Sequence, residues 1–207
     1  YQPSIKELVS KSINYIKSKV YFLFYFYVDI FFIKYLLTDL DLGFYNASYV
    51  IIIGSLIFTD AYLKLFAFRY FYYSKHNFLN FKRIFRTGTN LLLSASLLIL
   101  FVLLLLSEKI IYFIYGYSYS DSSIILIILA FSIPFRFLFT NYVMALRTLN
   151  FASHESKNLR NILIIKFPLS FVLIYNYGII GAGLSTVICE MILFLMCYYY
   201  VNKLVFK

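Results

Sequence analysis

Residues 90–106 read NLLLSASLLILFVLLLL, a run without a single charged side chain. A bilayer core of about 30 Å is crossed by about 20 helical residues, so a run of this kind is read as a membrane-spanning helix. Outward from it, further apolar stretches lie at about 20–37 and 45–68 on one side, and at 124–146, 162–174 and 179–201 on the other. The chain is therefore expected to be an all-α polytopic transmembrane bundle of about six spans. It forms a single lobe of 207 residues with short connections and no sizeable extramembrane domain.

Composition supports the same class. Hydrophobic residues make up 62% and charged residues 14%, with a mean hydropathy of +0.81. A soluble domain has about 45–50% apolar and about 25% charged residues. Too few polar side chains are present to cover a water-facing surface, which excludes a soluble globular fold. Many of the 22 tyrosines sit near span ends, where amphipathic rings suit the membrane interface.

The net charge of +10 invites a nucleic-acid reading, but in a membrane chain cations first report topology. With both termini cytoplasmic, Lys6, Lys11, Lys17 and Lys19 precede the first span. Lys64, near the end of the second, joins Arg69, Lys75, Lys82, Arg83 and Arg86 after it. Arg147, Lys157, Arg160 and Lys166 follow the fourth, and Lys203 and Lys207 end the chain. That assigns sixteen of the 19 cations to the inner face. Lys34 and Lys109 fall outside, and Arg136 falls within a span. The asymmetry orients the bundle and accounts for the charge without a nucleic-acid partner. The chain starts Tyr1-Gln2-Pro3, and its first residues lack the regions of a signal peptide. A longer polypeptide with a preceding N-terminal part is expected.

No Gly-rich phosphate loop, metal-ligand cluster or nucleophile with a partnered base is present, so no catalytic residue, metal site or enzyme activity is expected. His76 and His154 read as loop histidines, and Cys189 and Cys197 as packing residues. Ionisable residues inside spans are costly in lipid and face a bundle interior or aqueous cavity. Asp29, Asp60, Arg136 and Glu190 are the candidates, with Arg136 suited to an anionic substrate or to pairing with an acid. The alternative for each is a structural ion pair or a snorkelling side chain. Pro134 and Pro168 are expected to break or kink their spans. Gly181-Ala182-Gly183-Leu184-Ser185 offers small residues for close helix approach.

Three stretches carry a resemblance. Asp29-Ile30 is followed by Asp41-Leu42-Gly43-Phe44-Tyr45-Asn46-Ala47, where the family has an intramembrane Asp and then vGxYxAA. Ile114-Tyr115-Gly116-Tyr117-Ser118-Tyr119 leads through Asp121-Ser122-Ser123 to Ile133-Pro134. Tyr175-Asn176-Tyr177-Gly178-Ile179-Ile180-Gly181-Ala182-Gly183 precedes Ser185-Thr186 and Glu190, with Asn176 where Pro is common. In this order they resemble the C-terminal lobe of prokaryotic polysaccharide flippases of the multidrug/oligosaccharidyl-lipid/polysaccharide exporter superfamily.

The resemblance implies one lobe of a two-lobed transporter in the bacterial cytoplasmic membrane. It would flip an undecaprenyl-pyrophosphate-linked oligosaccharide for O-antigen or capsule synthesis. The implied partners are that lipid-linked oligosaccharide, membrane lipid and a preceding N-terminal lobe; no cofactor is implied beyond a coupling ion, H+ or Na+. Arg136 becomes the substrate contact, and Asp29 the residue for cavity polarity or ion coupling. A multidrug or peptidoglycan-precursor exporter of the same superfamily remains an alternative. A membrane polysaccharide polymerase is disfavoured, because the longest external segment, 107–123, holds one lysine.

Overall fold

A computed structural model describes residues 5–205, and all its regular structure is helical. The order is α1 (Ile5–Leu36), α2 (Asp39–Ser55), α3 (Ile57–His76), α4 (Phe78–Tyr115), a 3-10 turn (Tyr117–Tyr119), α5 (Ser122–Ala130), α6 (Ser132–Thr148) and α7 (Ala152–Val205). Among the described residues four segments are long and apolar enough to cross a membrane: Asp39–His76, Phe78–Tyr115, Ser122–Thr148 and Ala152–Leu204.

The expectation of about six spans is thus met only in part. The expected first span, 20–37, lies in α1, whose apolar half is interrupted by Lys19, Asp29 and Lys34; α1 is not among the four. The expected fifth and sixth, 162–174 and 179–201, fall in the single run of α7. That run is broken at Gly178, with φ 57° and ψ −140°, a backbone conformation that favours glycine. Its legs, 152–177 and 179–205, fold back on each other. Ser170 Oγ lies 3.2 Å from Ser185 Oγ, and Asn158 Nδ2 lies 3.4 Å from Cys197 Sγ. In an unbroken helix residues 170 and 185 would stand about 22 Å apart. Gly181 lets the legs meet, since a Cβ there would fall 2.0 Å from the Leu173 carbonyl oxygen.

Three expected loops are mostly helix. The polar loop 74–86 reduces to a turn at Asn77, which caps α4 by accepting from the Asn80 N–H at 3.0 Å. The loop 147–161 reduces to residues 149–151, with Asn150 in the left-handed region at φ 65°. The segment 107–123 stays helical to Tyr115 and turns at Gly116, φ 82°. Polar sequence does not end the helices here; capping residues and glycine do. The acidic turn before α2 behaves as its sequence suggests. Thr38 and Asp41 form a reciprocal capping box, with bonds of 3.1 and 3.2 Å.

Helix periodicity sorts the faces. On α1, Tyr25, Val28, Asp29, Phe32 and Ile33 are buried, while Phe24, Tyr27, Phe31 and Tyr35 are exposed. On α4, Leu92, Ser96, Leu103, Ser107 and Ile111 point inward and Leu91, Leu97, Leu98, Phe101 and Leu105 outward. Those outward faces suit lipid, because a helix with an apolar exterior needs an apolar solvent. The inner faces of α1 and α6 both pack on α7, and α4 packs on α6. This stacking carries the ionisable residues of α1, α6 and α7 into one interior.

Candidate functional site: two buried ion pairs beneath a groove

Asp29 sits on the inner face of α1 and is almost fully buried. The two legs of α7 bring Lys166 and Ser170 from one side and Ser185 and Thr186 from the other; α2 adds Tyr45. Lys166 Nζ lies 2.7 Å from Asp29 Oδ2. Ser170 and Ser185 donate to Oδ1 at 2.7 and 2.9 Å, and Thr186 and Tyr45 to Oδ2 at 2.6 and 3.2 Å. The Lys166 ammonium also reaches Thr186 Oγ1 at 3.2 Å and lies 4.1 Å from the Tyr25 ring centroid. An ionised carboxylate survives such burial only when paired and saturated with donors, and this one has five.

The expected inner-face position of Lys166 is therefore corrected. It lies within the bundle as the partner of Asp29, buried to 1% exposure. The signal was available in the sequence, because Lys166 interrupts the apolar run 162–174 as Asp29 interrupts the run 20–37. A cation in such a run calls for an intramembrane partner before it counts toward topology.

Arg136 and Glu190 form the second pair. Arg136 projects from α6, and its Nη1 donates to both carboxylate oxygens of Glu190 at 3.0 and 3.2 Å. Phe22 and Phe26 of α1 cover the guanidinium, their ring centroids 4.3 and 5.0 Å from Cζ. Its Nη2 is buried and has no hydrogen-bond partner among the described residues. A buried guanidinium nitrogen left without a hydrogen bond is uncommon, and here the guanidinium is covered by aromatic rings instead.

Above this pair opens a groove of about 510 Å³, with Arg136, Ser18, Phe22, Asp60, Thr140 and Arg147 among its lining residues. Asp60 is exposed at its wall in the first turn of α3, apart from both pairs. Arg147 closes the rim by donating to both oxygens of Glu155 on α7 at 2.8 and 2.7 Å. From Arg147 to Arg136 is eleven residues of α6, about 16 Å of helix. The groove thus runs along α6 from Arg147 inward to Arg136. A small second cavity of about 20 Å³ joins Arg136 and Glu190 to Thr186 of the Asp29 cage.

The two prolines differ. Pro134 stands in the first turn of α6, and the helix is interrupted just before it, at Phe131. Its ring nitrogen leaves the Ala130 carbonyl without its helical donor. Pro168 does not end its helix: α7 continues through it, so of the expected break or kink the break is not found there. His76 and His154 pack on Tyr72 and Tyr200, with ring centroids 4.7 Å apart in each case. Among the described residues no group of His, Cys, Asp or Glu is arranged to hold a metal.

Sequence reasoning also missed a polar lock between α3, α4 and α6. Asn141 Oδ1 accepts from Tyr62 at 2.7 Å and from Tyr70 at 2.5 Å, while its Nδ2 donates to Thr89 Oγ1 at 2.9 Å. An amide within the apolar run 124–146 was the available signal. Gly88 opens the space for it, since a Cβ there would stand 2.0 Å from Tyr62 Oη. The described residues thus form a helical bundle with four segments long and apolar enough to cross a membrane, around a charged groove. The chain matches no protein-family model, no curated protein and no solved structure.

Proposed function

We propose that this chain is one helical lobe of a bacterial cytoplasmic-membrane transporter that moves a lipid-linked oligosaccharide across the bilayer for surface polysaccharide synthesis. The observation that carries the reading is the unbonded Arg136 Nη2 beneath the groove. A guanidinium held by Glu190 through one nitrogen keeps a second planar donor for an oxyanion. The pyrophosphate of a polyprenyl-linked sugar is such an anion. In this reading the groove opens at the cytoplasmic edge, marked by Lys19 and Arg147. The phosphate meets Arg136, the sugars lie along Ser18, Asp60 and Thr140, and the lipid tail stays in the bilayer. The three motif resemblances point to the same substrate class.

The pair Arg136–Glu190 is charge-balanced, so removing Arg136 alone leaves Glu190 buried and unpaired. The test therefore uses Arg136→Gln together with Glu190→Gln, in cells that depend on this protein for surface polysaccharide. Loss of polysaccharide at normal protein level supports the reading. Normal polysaccharide with that double variant sinks it.

A further inference from the structure

The α3–α4 corner is the most cationic part of the chain. Between Asp60 and Glu108 no acidic residue occurs in 47 positions, yet Lys64, Arg69, Lys75, Lys82, Arg83 and Arg86 fall within them. The corner also exposes large apolar side chains. Phe68 and Leu79 are 78% and 74% exposed, and Phe71, Tyr72 and Phe78 are exposed as well.

Its depth follows from packing. Phe85 stacks edge-on against Tyr142 with centroids 5.0 Å apart, and Tyr70 bonds Asn141. The turn at Asn77 lies seven residues beyond Tyr70, and the end of α6 at Thr148 lies seven beyond Asn141. Both are about 10 Å of helix, so the corner stands level with the end of α6. The α5–α6 segment, Ser122–Thr148, has 27 residues. That is about 40 Å of helix, the thickness of a bilayer with its headgroups. The corner therefore lies in a headgroup layer.

There an unbroken cationic surface interleaved with exposed aromatics has a definite complement. Aromatic rings suit the interface, and lysine and arginine stems reach out of the apolar layer to place their heads among phosphates. A zwitterionic headgroup layer offers these cations no net charge, whereas an anionic one does. The Lys82 Nζ position 5.2 Å above the Phe78 ring, and Arg69 Cζ at 5.9 Å from Phe66, show cation and aromatic already alternating on this surface.

We propose that the α3–α4 corner is a docking surface for anionic phospholipid headgroups of the leaflet at that end. It is independent of what the groove carries. The test is native mass spectrometry of the purified full chain from nanodiscs with equal phosphatidylglycerol and phosphatidylethanolamine. The wild type is expected to retain phosphatidylglycerol several-fold over phosphatidylethanolamine. Lys75→Gln with Arg83→Gln should bring that preference close to equal retention of the two lipids, given the contribution of each surface cation. Lys157→Gln with Arg160→Gln, which removes two exposed cations of α7 at the same end but outside the corner, should cut it clearly less. Where the first double variant folds poorly, each single substitution is read instead, with a smaller loss expected. Equal retention of both lipids by the wild type overturns the proposal, as does equal loss in the α7 variant or an undiminished preference in the corner variants.

Discussion

Removing Lys166 should strand Asp29. In Lys166→Met the carboxylate keeps its four hydroxyl donors but loses its countercharge inside a dry interior. Breaking a buried pair by removing one member costs about 3–5 kcal/mol. Asp29→Asn should cost a similar amount, because Lys166 is then the stranded charge and the hydroxyls lose acceptors. In a chain of this size about 1 kcal/mol moves the unfolding midpoint by roughly 2–4 °C, so each single variant should fall by roughly 6–20 °C. The double variant carries no stranded charge. It should cost less than the sum of the singles by about 2–3 kcal/mol, the coupling expected of residues in contact. The molecule supplies its own reporter: Cys189 and Cys197 are its two cysteines and both are buried. A thiol-reactive dye therefore reads unfolding in detergent without further labels. Strict additivity, or a Lys166→Met variant as stable as the wild type, would refute the argument that the two residues act as one neutralised unit.

Gly181→Ala should be the most disruptive single methyl in the chain. Its Cβ meets backbone of Leu173 at 2.0 Å, which cannot rotate away, so a loss of about 3 kcal/mol or more in the same dye assay is expected. Gly88→Ala should cost about 1–3 kcal/mol by colliding with Tyr62 Oη. Adding Tyr62→Phe removes that oxygen and should restore part of the loss; no recovery would mean the clash lies elsewhere. Orientation can be read with an impermeant maleimide in intact cells. Cysteine at Lys34 or Lys109 should be labelled from outside, and cysteine at Lys75 or Lys157 only after permeabilisation. The native thiols are buried and stay silent.

The sequence already announced a helical membrane protein, since residues 90–106 have no competing interpretation. It also singled out Asp29, Arg136 and Glu190, because isolated charges in apolar runs stand out against lipid. Their pairing was not legible. Arg136 meets Glu190 across 54 positions, and Asp29 meets Ser185 across 156. Those contacts follow from how α1 and α6 pack on the α7 hairpin, which no local pattern encodes. Lys166 was misplaced because topology and partnership compete for the same cation, and a loop boundary a few residues off decides between them. Asp60 stood out by the same rule as the others and lies exposed at the groove wall, apart from both ion pairs. Loop ends were misjudged for a different reason. Hydropathy falls off inside α4, whereas Asn77 and Gly116 set where that helix begins and ends.

Reconstitution tests the transport reading most directly. The full protein is placed in proteoliposomes holding a fluorescent polyprenyl-pyrophosphate oligosaccharide, and an impermeant quencher reports how much reaches the far leaflet. The account predicts translocation by the wild type, and loss of it in Arg136→Gln with Glu190→Gln at unchanged folding. Translocation by that variant at the wild-type rate, or none by a folded wild type, would contradict it.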